Sequence, residues 1–521
     1  MLAGLGKRVG KRPGHLENDT NNNRSRRTGA HIPNELLEFV RRETYSLLVK
    51  GYAGTGKTTL SLTILRTLKI KNNFFYISTR LSPKQLFSYY PWLGRYVDIA
   101  PNQDQTPTLA SSSQRMGYNI SSFEDARLDE PESLFERITN QLMDVKAPII
   151  IIDSWDAIAS FMDKEARLNN ERVLQTWRER AGAKLIFISE NPSDTTLDFL
   201  VDGIVELNQK LHDGVRIREV SLTKLRGIQI KKPSYIYTLY KGIFQSYNPY
   251  DPRDFMFSDS YNFNNNNNSY LNRMQRQRRG STLRDPSLMR DDYVPSGYEQ
   301  LDEALGGGFP KKGIVLLETQ SSIHAKVTLT LLTGIISNIL RNDNPVLIEP
   351  FRGIDARVIM SYLGPYLSKD HKKDLIKIFC PDKNNNLSPE YAISQHQNIG
   401  NSEKQIQYFR DLITKTRRDH PNKLLVIVMG MASCRRIHQY QEVNGTDLMR
   451  SISATADLTL IALRHHHSTE LNLSEIADVQ LHLAAISGTL VLHSVMPETH
   501  SYAVVIDRSS GYPVIRLESL V

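Results

Sequence analysis

The sequence predicts an α/β protein of two tandem domains, each a mainly parallel sheet with helices on both faces, the second degenerate. Three observations predict it. Short apolar runs of strand length alternate with helix-like stretches through both halves. The first half holds a complete glycine loop, Gly51-Tyr52-Ala53-Gly54-Thr55-Gly56-Lys57-Thr58. The second half repeats the order of elements without the loop, and residues 313–332 read GIVLLETQSSIHAKVTLTLL.

Size and composition agree with that class. At 521 residues the chain exceeds what a single core sustains. No apolar run approaches the ~18 residues that span a bilayer. The opening MLAGLGKRVGKR lacks the apolar stretch of a secretory signal. Cys380 and Cys434 stand apart, which excludes a cysteine metal cluster and fits a reducing compartment. A cytoplasmic protein without membrane attachment is expected.

Charge is placed unevenly. Residues 1–30 carry seven basic against two acidic side chains, and residues 271–290 carry six arginines against Asp285. Each segment is net +5 in a chain of net +9, so the remainder is close to neutral. Both segments are poor in apolar residues and rich in Asn, Ser, Gly and Arg, the composition of disorder. The expected organisation is a basic tail (1–30), an intact domain (31–248), an Asn-rich then Arg-rich linker (249–292) and a degenerate domain (293–521). The basic segments admit two readings, an electrostatic arm for nucleic acid or an acidic protein, and a solvated linker. No stacking aromatics alternate with the arginines, as single-strand binding would want.

The intact loop has the context its chemistry needs. Tyr45–Val49 is an apolar run long enough for a buried parallel strand. After the loop and Thr59, Leu60, Leu62, Ile64, Leu65 and Leu68 give a helix with one dominant apolar side. The pattern is the P-loop G-x-x-x-x-G-K-[ST], a Walker A motif of nucleotide-binding proteins. Its glycines let backbone N–H groups wrap phosphates at a helix N-terminus, Lys57 reaches the β/γ-phosphates, and Thr58 ligates Mg²⁺. ATP and Mg²⁺ are the expected ligands. About a hundred residues on, Ala147-Pro-Ile-Ile-Ile-Ile-Asp153 is an apolar strand ending in a carboxylate, the Walker B pattern that holds the magnesium shell. Strands are also expected at Asn73–Ser78, Lys184–Ser189 and Gly203–Leu207, with helices over Glu132–Met143 and Glu171–Arg180 between them.

The run Leu197–Leu207, the turn at Gly214 and Ser221-Leu-Thr-Lys224-Leu-Arg226-Gly227 resemble the C-terminal part of RecA/KaiC-like P-loop NTPase domains. In that family the Lys and Arg of a K-x-R-G segment reach the γ-phosphate of a neighbouring subunit. The resemblance therefore implies a catalytic role for Lys224 and Arg226 beside Lys57, and a homo-oligomer, ring or dimer, to use them. One departure matters. The family carries a water-orienting glutamate after the second strand, where this chain has Ser78-Thr79-Arg80. Glu190, after the Lys184–Ser189 strand, and Asp156, near the Walker B end, are the candidate substitutes, and neither sits at the family position. ATP binding with slow hydrolysis at most is expected.

The second half reads as a duplicated copy. Residues 296–310 are close to the family's entry sequence, and Lys423–Met429, Asp457–Leu463 and Ile476–Leu483 match strands of the first domain. The copy lacks the loop glycines and the Walker B carboxylate, which is replaced near Met429–Gly430. Counted from the turn glycine, Glu498 and His500 stand where Lys224 and Arg226 stand in the first domain. His465-His466-His467 reads as a strand-end polar cluster, since no Cys, Asp or third His lies at ligand spacing.

With its intact first domain, basic intermediate region and decayed second domain, the whole pattern is similar to the GvpD family of archaeal gas-vesicle regulators. That resemblance implies an ATP-binding regulatory protein that controls a protein partner such as a transcriptional activator. The alternative is a RecA-like DNA-associated ATPase motor acting through the basic segments. A structural ring, with the second domain supplying assembly surface, is the third reading.

Overall fold

The structure is a computed structural model. It describes residues 31–71, 73–96, 121–126, 131–142, 145–191, 193, 196–212, 214–255, 292–350, 354–364, 374–380, 392–394, 402–430, 445–465, 472–508 and 513–521. The tail, the Arg-rich half of the segment read as a linker, and His466–His467 lie outside the described residues.

The first domain is built on nine strands: β1 (Tyr45–Gly51), β2 (Phe74–Ser78), β3 (Ser121–Asp125), β4 (Ile149–Asp153), β5 (Lys184–Ser189), β6 (Gly203–His212), β7 (Val215–Leu225), β8 (Ser234–Thr238) and β9 (Gln245–Ser246). They lie in the order β3-β2-β4-β5-β1-β6-β7-β8-β9. From β3 to β6 every pairing is parallel, and β6 to β9 is an antiparallel edge. β1, β2 and β4 are buried along their whole length. That explains their unbroken apolar runs, because both faces of a parallel sheet are covered. One face packs on helix Lys57–Thr67 through Leu60, Leu62, Ile64 and Leu65. The other packs on Phe135, Trp155 and Trp177. The helix expected over Glu171–Arg180 runs from Lys164 to Ala181, beginning in a charged stretch with little apolar signal.

The second domain repeats the plan. A small ribbon, β10 (Tyr293–Val294) and β11 (Phe309–Pro310), leads into β12 (Gly313–Thr319), β13 (Val346–Ile348), β14 (Ile376–Cys380), β15 (Ala392–Ser394), β16 (Val426–Gly430), β17 (Leu458–Arg464), β18 (Val479–Ile486), β19 (Thr489–Met496), β20 (Tyr502–Asp507) and β21 (Val514–Ser519). The sheet order is β15-β14-β13-β16-β17-β12-β18-β19-β20-β21. β1 therefore lies between β5 and β6, and β12 in the same way between β17 and β18. The two large, mostly parallel sheets are a tandem duplication. Among the described residues, no helix is long and apolar enough to cross a membrane.

The domains meet through their antiparallel edges. Ile217, Ile236 and Tyr247 of the first pack with Val491, Ala503 and Leu520 of the second. Around that cluster Lys232 donates to Ser487 O, Ser487 Oγ to Glu219 (2.6 Å), and Thr238 Oγ1 to Ser519 O (2.9 Å). Residues 250–255, the first part of the segment read as linker, pack on the second domain: Phe255 is fully buried in its core, and Tyr362 donates to Phe255 O.

Candidate functional site

The loop leaves the carboxyl end of β1, the end where ligands bind in open α/β sheets. Two of its glycines are required by geometry. Gly51 has φ +151°, and a Cβ there would lie 2.4 Å from Leu207 O on the adjacent strand. Gly56 has φ +90°, and a Cβ there would lie 2.6 Å from Leu239 Cδ2. Between them Tyr52, Ala53 and Gly54 are exposed. Thr55 closes the turn by donating from Oγ1 to Tyr52 O (2.8 Å). Thr59, one residue past the motif, shares a hydrogen bond with Tyr90 Oη (3.0 Å).

Lys57 is buried and bends back over the loop, donating to Gly51 O (2.7 Å) and Tyr52 O (2.9 Å). Burial pushes its pKa down; Glu190 and Asp153 oppose that, while Arg80 adds to it. An arriving phosphate would supply the anion that burial denies it. Thr58 Oγ1 donates to Asp153 Oδ2 (2.6 Å), so the two oxygens suited to a hard cation sit side by side. The strand register that puts Asp153 at the end of β4 thus brings the sequence-predicted Walker pair together. Tyr76 Oη also donates to Asp153 Oδ2 (2.5 Å). The Tyr76 hydroxyl is held well above its usual pKa, first by burial and then by the Asp153 charge.

The position of the family's glutamate is occupied by other chemistry. Arg80 forms a two-toothed ion pair with Glu190. Asp156 accepts from Ser189 Oγ (3.0 Å) and from Glu190 N (2.5 Å). Both candidate carboxylates are thus engaged within the chain, close enough to Lys57 for their charges to act on it.

Lys224 and Arg226 do not approach the loop of their own chain. Lys224 lies opposite Ile204, which lies opposite Leu48, three residues and about 10 Å along the strand from Gly51. Lys224 donates to Asp198 O (2.9 Å), and Arg226, mostly exposed, pairs with Asp202 (3.2 Å).

Sequence reasoning missed what lies behind the loop. Tyr237 Oη, on β8, donates to Thr55 O (2.5 Å), and Leu239 covers Gly56. The only signal was the alternation Tyr235, Tyr237, Leu239, which marks one face of a strand but not what that face touches.

The second domain has no counterpart site among its described residues. Thr319 lies opposite Leu483 as Gly51 lies opposite Leu207. Gly430 stands at the register of Asp153: one lies opposite Ala462 and the other opposite Ile188. Ile323 is buried where the loop would wrap a phosphate, and Arg464 donates to Gln320 O and Ser321 O. One expectation is corrected. Met496 and Glu498, not Glu498 and His500, stand at the register of Lys224 and Arg226, since Met496 lies opposite Gln480 as Lys224 lies opposite Ile204. From these register positions to the turn glycine, the second hairpin is two residues shorter than the first (Met496 to Gly488 against Lys224 to Gly214), so counting from the turn glycine overshoots. From the histidine run, His465, one residue past β17, meets Glu318 of β12 and His482 of β18.

Residues 37–223 match the family model described as GvpD gas vesicle protein, P-loop domain. The first domain is therefore similar to the P-loop domain of GvpD proteins. It is 22% identical to Protein GvpD2 of Halobacterium salinarum over 94% of this chain and 97% of that protein. GvpD1 of the same organism gives the same identity and coverage. The circadian clock oscillator protein KaiC of Parathermosynechococcus lividus is 26% identical over 52% of this chain and 45% of its own length. GvpD and KaiC similarity together establish the RecA/KaiC-like relationship that the duplicated sheets display.

Proposed function

We propose that the GvpD-like chain is a nucleotide-gated regulator: Mg²⁺·ATP binds at Gly51–Thr59 and Asp153, and the bound state is passed to the second domain, which engages a protein partner. Thr58 and Asp153 would hold the magnesium, and Lys57 would turn from its own carbonyls to the β/γ-phosphates. The observation that carries the reading is the bridge at residues 237–239. Tyr237 and Leu239 touch the loop, while Thr238 donates to Ser519 O and Leu239 N donates to Val521 O of the second domain. A loop that rearranges around phosphate must alter what these three residues can hold.

A nucleotide shifts such an equilibrium only through different affinities for its two states, and slow turnover keeps the bound state long enough to be read. Slow turnover is supported by Arg80, which stands just after β2 and holds Glu190 in an ion pair. In a ring or dimer, Lys224 and Arg226 would serve a neighbour's γ-phosphate. The matching family description, GvpD gas vesicle protein, points to gas vesicles as the setting.

Calorimetric titration of the full chain tests the reading. ATP with Mg²⁺ is expected to bind, with turnover far below the ~1 s⁻¹ of slow kinases. A wild-type chain that binds no ATP, or that turns it over rapidly only when DNA is added, would remove the proposal.

A further inference from the structure

In the second domain the position opposite the buried lysine of the first has reversed its charge. Lys50, next to the loop on β1, is buried and paired with Asp198. At the same register β12 carries Glu318, also buried, and β18 carries His482 directly opposite it. His482 Nε2 lies 2.6 Å and His465 Nδ1 2.7 Å from Glu318 Oε2. Donors from β12, from β18 and from the residue that follows β17 thus converge at the carboxyl end of the sheet, all within 4.8 Å of one another. We propose that the carboxyl end of the second domain's sheet, next to the remnant of the loop, carries a divalent metal site, held by Glu318, His465 and His482 and suited to zinc.

The donor set argues for the metal class. Two imidazoles and one carboxylate suit Zn²⁺ and its first-row neighbours, and three protein ligands leave a fourth position open. Around a tetrahedral zinc such donors stand about 3.3 Å apart. Admitting the ion asks the present contacts to open by roughly half an ångström. His465 can give that, since its side chain is 64% exposed, whereas Glu318 at 2% and His482 at 20% form the fixed wall. The supporting shell is already built. Gln480 Nε2 donates to the other carboxylate oxygen, Glu318 Oε1, at 3.1 Å. The His493 ring stands edgewise on His482, with centroids 5.5 Å apart. Such outer partners fix ligand orientation. Arg464, next to His465, donates to Gln320 O and Ser321 O, so a metal that fixes His465 would also restrain the remnant of the loop.

The test uses the untagged full chain dialysed with zinc, its metal content then measured by mass spectrometry, and cobalt absorption reporting tetrahedral coordination. About one zinc per chain is expected in wild type and in the His466→Ala/His467→Ala double variant. His482→Ala should lose it. His465→Ala, at an exposed ring that supports no core, should weaken it at least tenfold while leaving thermal unfolding of the metal-free chain unchanged. Gln480→Ala should weaken it about tenfold. A wild-type chain without zinc after dialysis overturns the proposal. So does zinc retained by His465→Ala and His482→Ala alike, or lost from the His466→Ala/His467→Ala chain. ATP titration of each variant keeps this result separate from the first domain's nucleotide site.

Discussion

Lys57 and Arg80 decide what the first domain can do with a nucleotide. Lys57 is a buried cation whose partners are two carbonyls of its own loop. Lys57→Ala should weaken ATP by about ten- to hundredfold, the worth of one or two charge-assisted hydrogen bonds, in calorimetric titration. Arg80 holds Glu190 in a two-toothed pair beside Lys57. Arg80→Ala should release that carboxylate to orient water and raise turnover about tenfold, toward the low end of what general-base catalysis contributes. Unchanged phosphate release would assign the slow chemistry to some other cause. Most of the site was legible at this scale, because loop, lysine, threonine and Walker B aspartate are contiguous motifs whose backbone need is local. Arg80 engaging Glu190 was not legible, since the two stand 110 residues apart and meet only across the sheet.

Strands and turns were readable to different degrees. Fully buried parallel strands announce themselves as apolar runs, and β1, β2, β4 and β5 fall within two residues of where those runs place them. The antiparallel edge was harder. Its strands face the other domain on one side, so β8 is apolar on both faces, Tyr235 and Tyr237 on one and Ile236 on the other, and hairpin length is set by pairing rather than composition. That is why Met496 rather than Glu498 stands at the register of Lys224. The same edge makes a prediction at Gly56, where φ +90° and the Leu239 side chain leave no room for a Cβ. Gly56→Ala should lower stability by roughly 1–3 kcal/mol in denaturant unfolding and abolish ATP binding. Leu239→Ala in the same chain relieves the collision but not the left-handed backbone, so binding should stay impaired.

At the scale of the whole molecule the two domains share one seam and a neutral body, with the charge confined to segments outside it. Burial pushes Tyr96, Tyr362 and Tyr502 up to about 12, one in the first domain and two in the second. A raised folded value means their contribution is fully present below the unfolded pKa near 10. It is lost as pH rises toward 12. Thermal unfolding should therefore hold level to about pH 10 and fall beyond it in both domains. The duplication was legible in the order of strands, but the bridge at 237–239 was not, because no motif records which surfaces of two domains meet. Hydrogen exchange of the full chain with and without Mg²⁺·ATP tests the gating claim most directly. The account predicts altered protection over 51–59 together with 234–239 and 514–521, and none of it in Lys57→Ala. Protection confined to 51–59 and the strand ending at Asp153, with 514–521 unchanged, would contradict it.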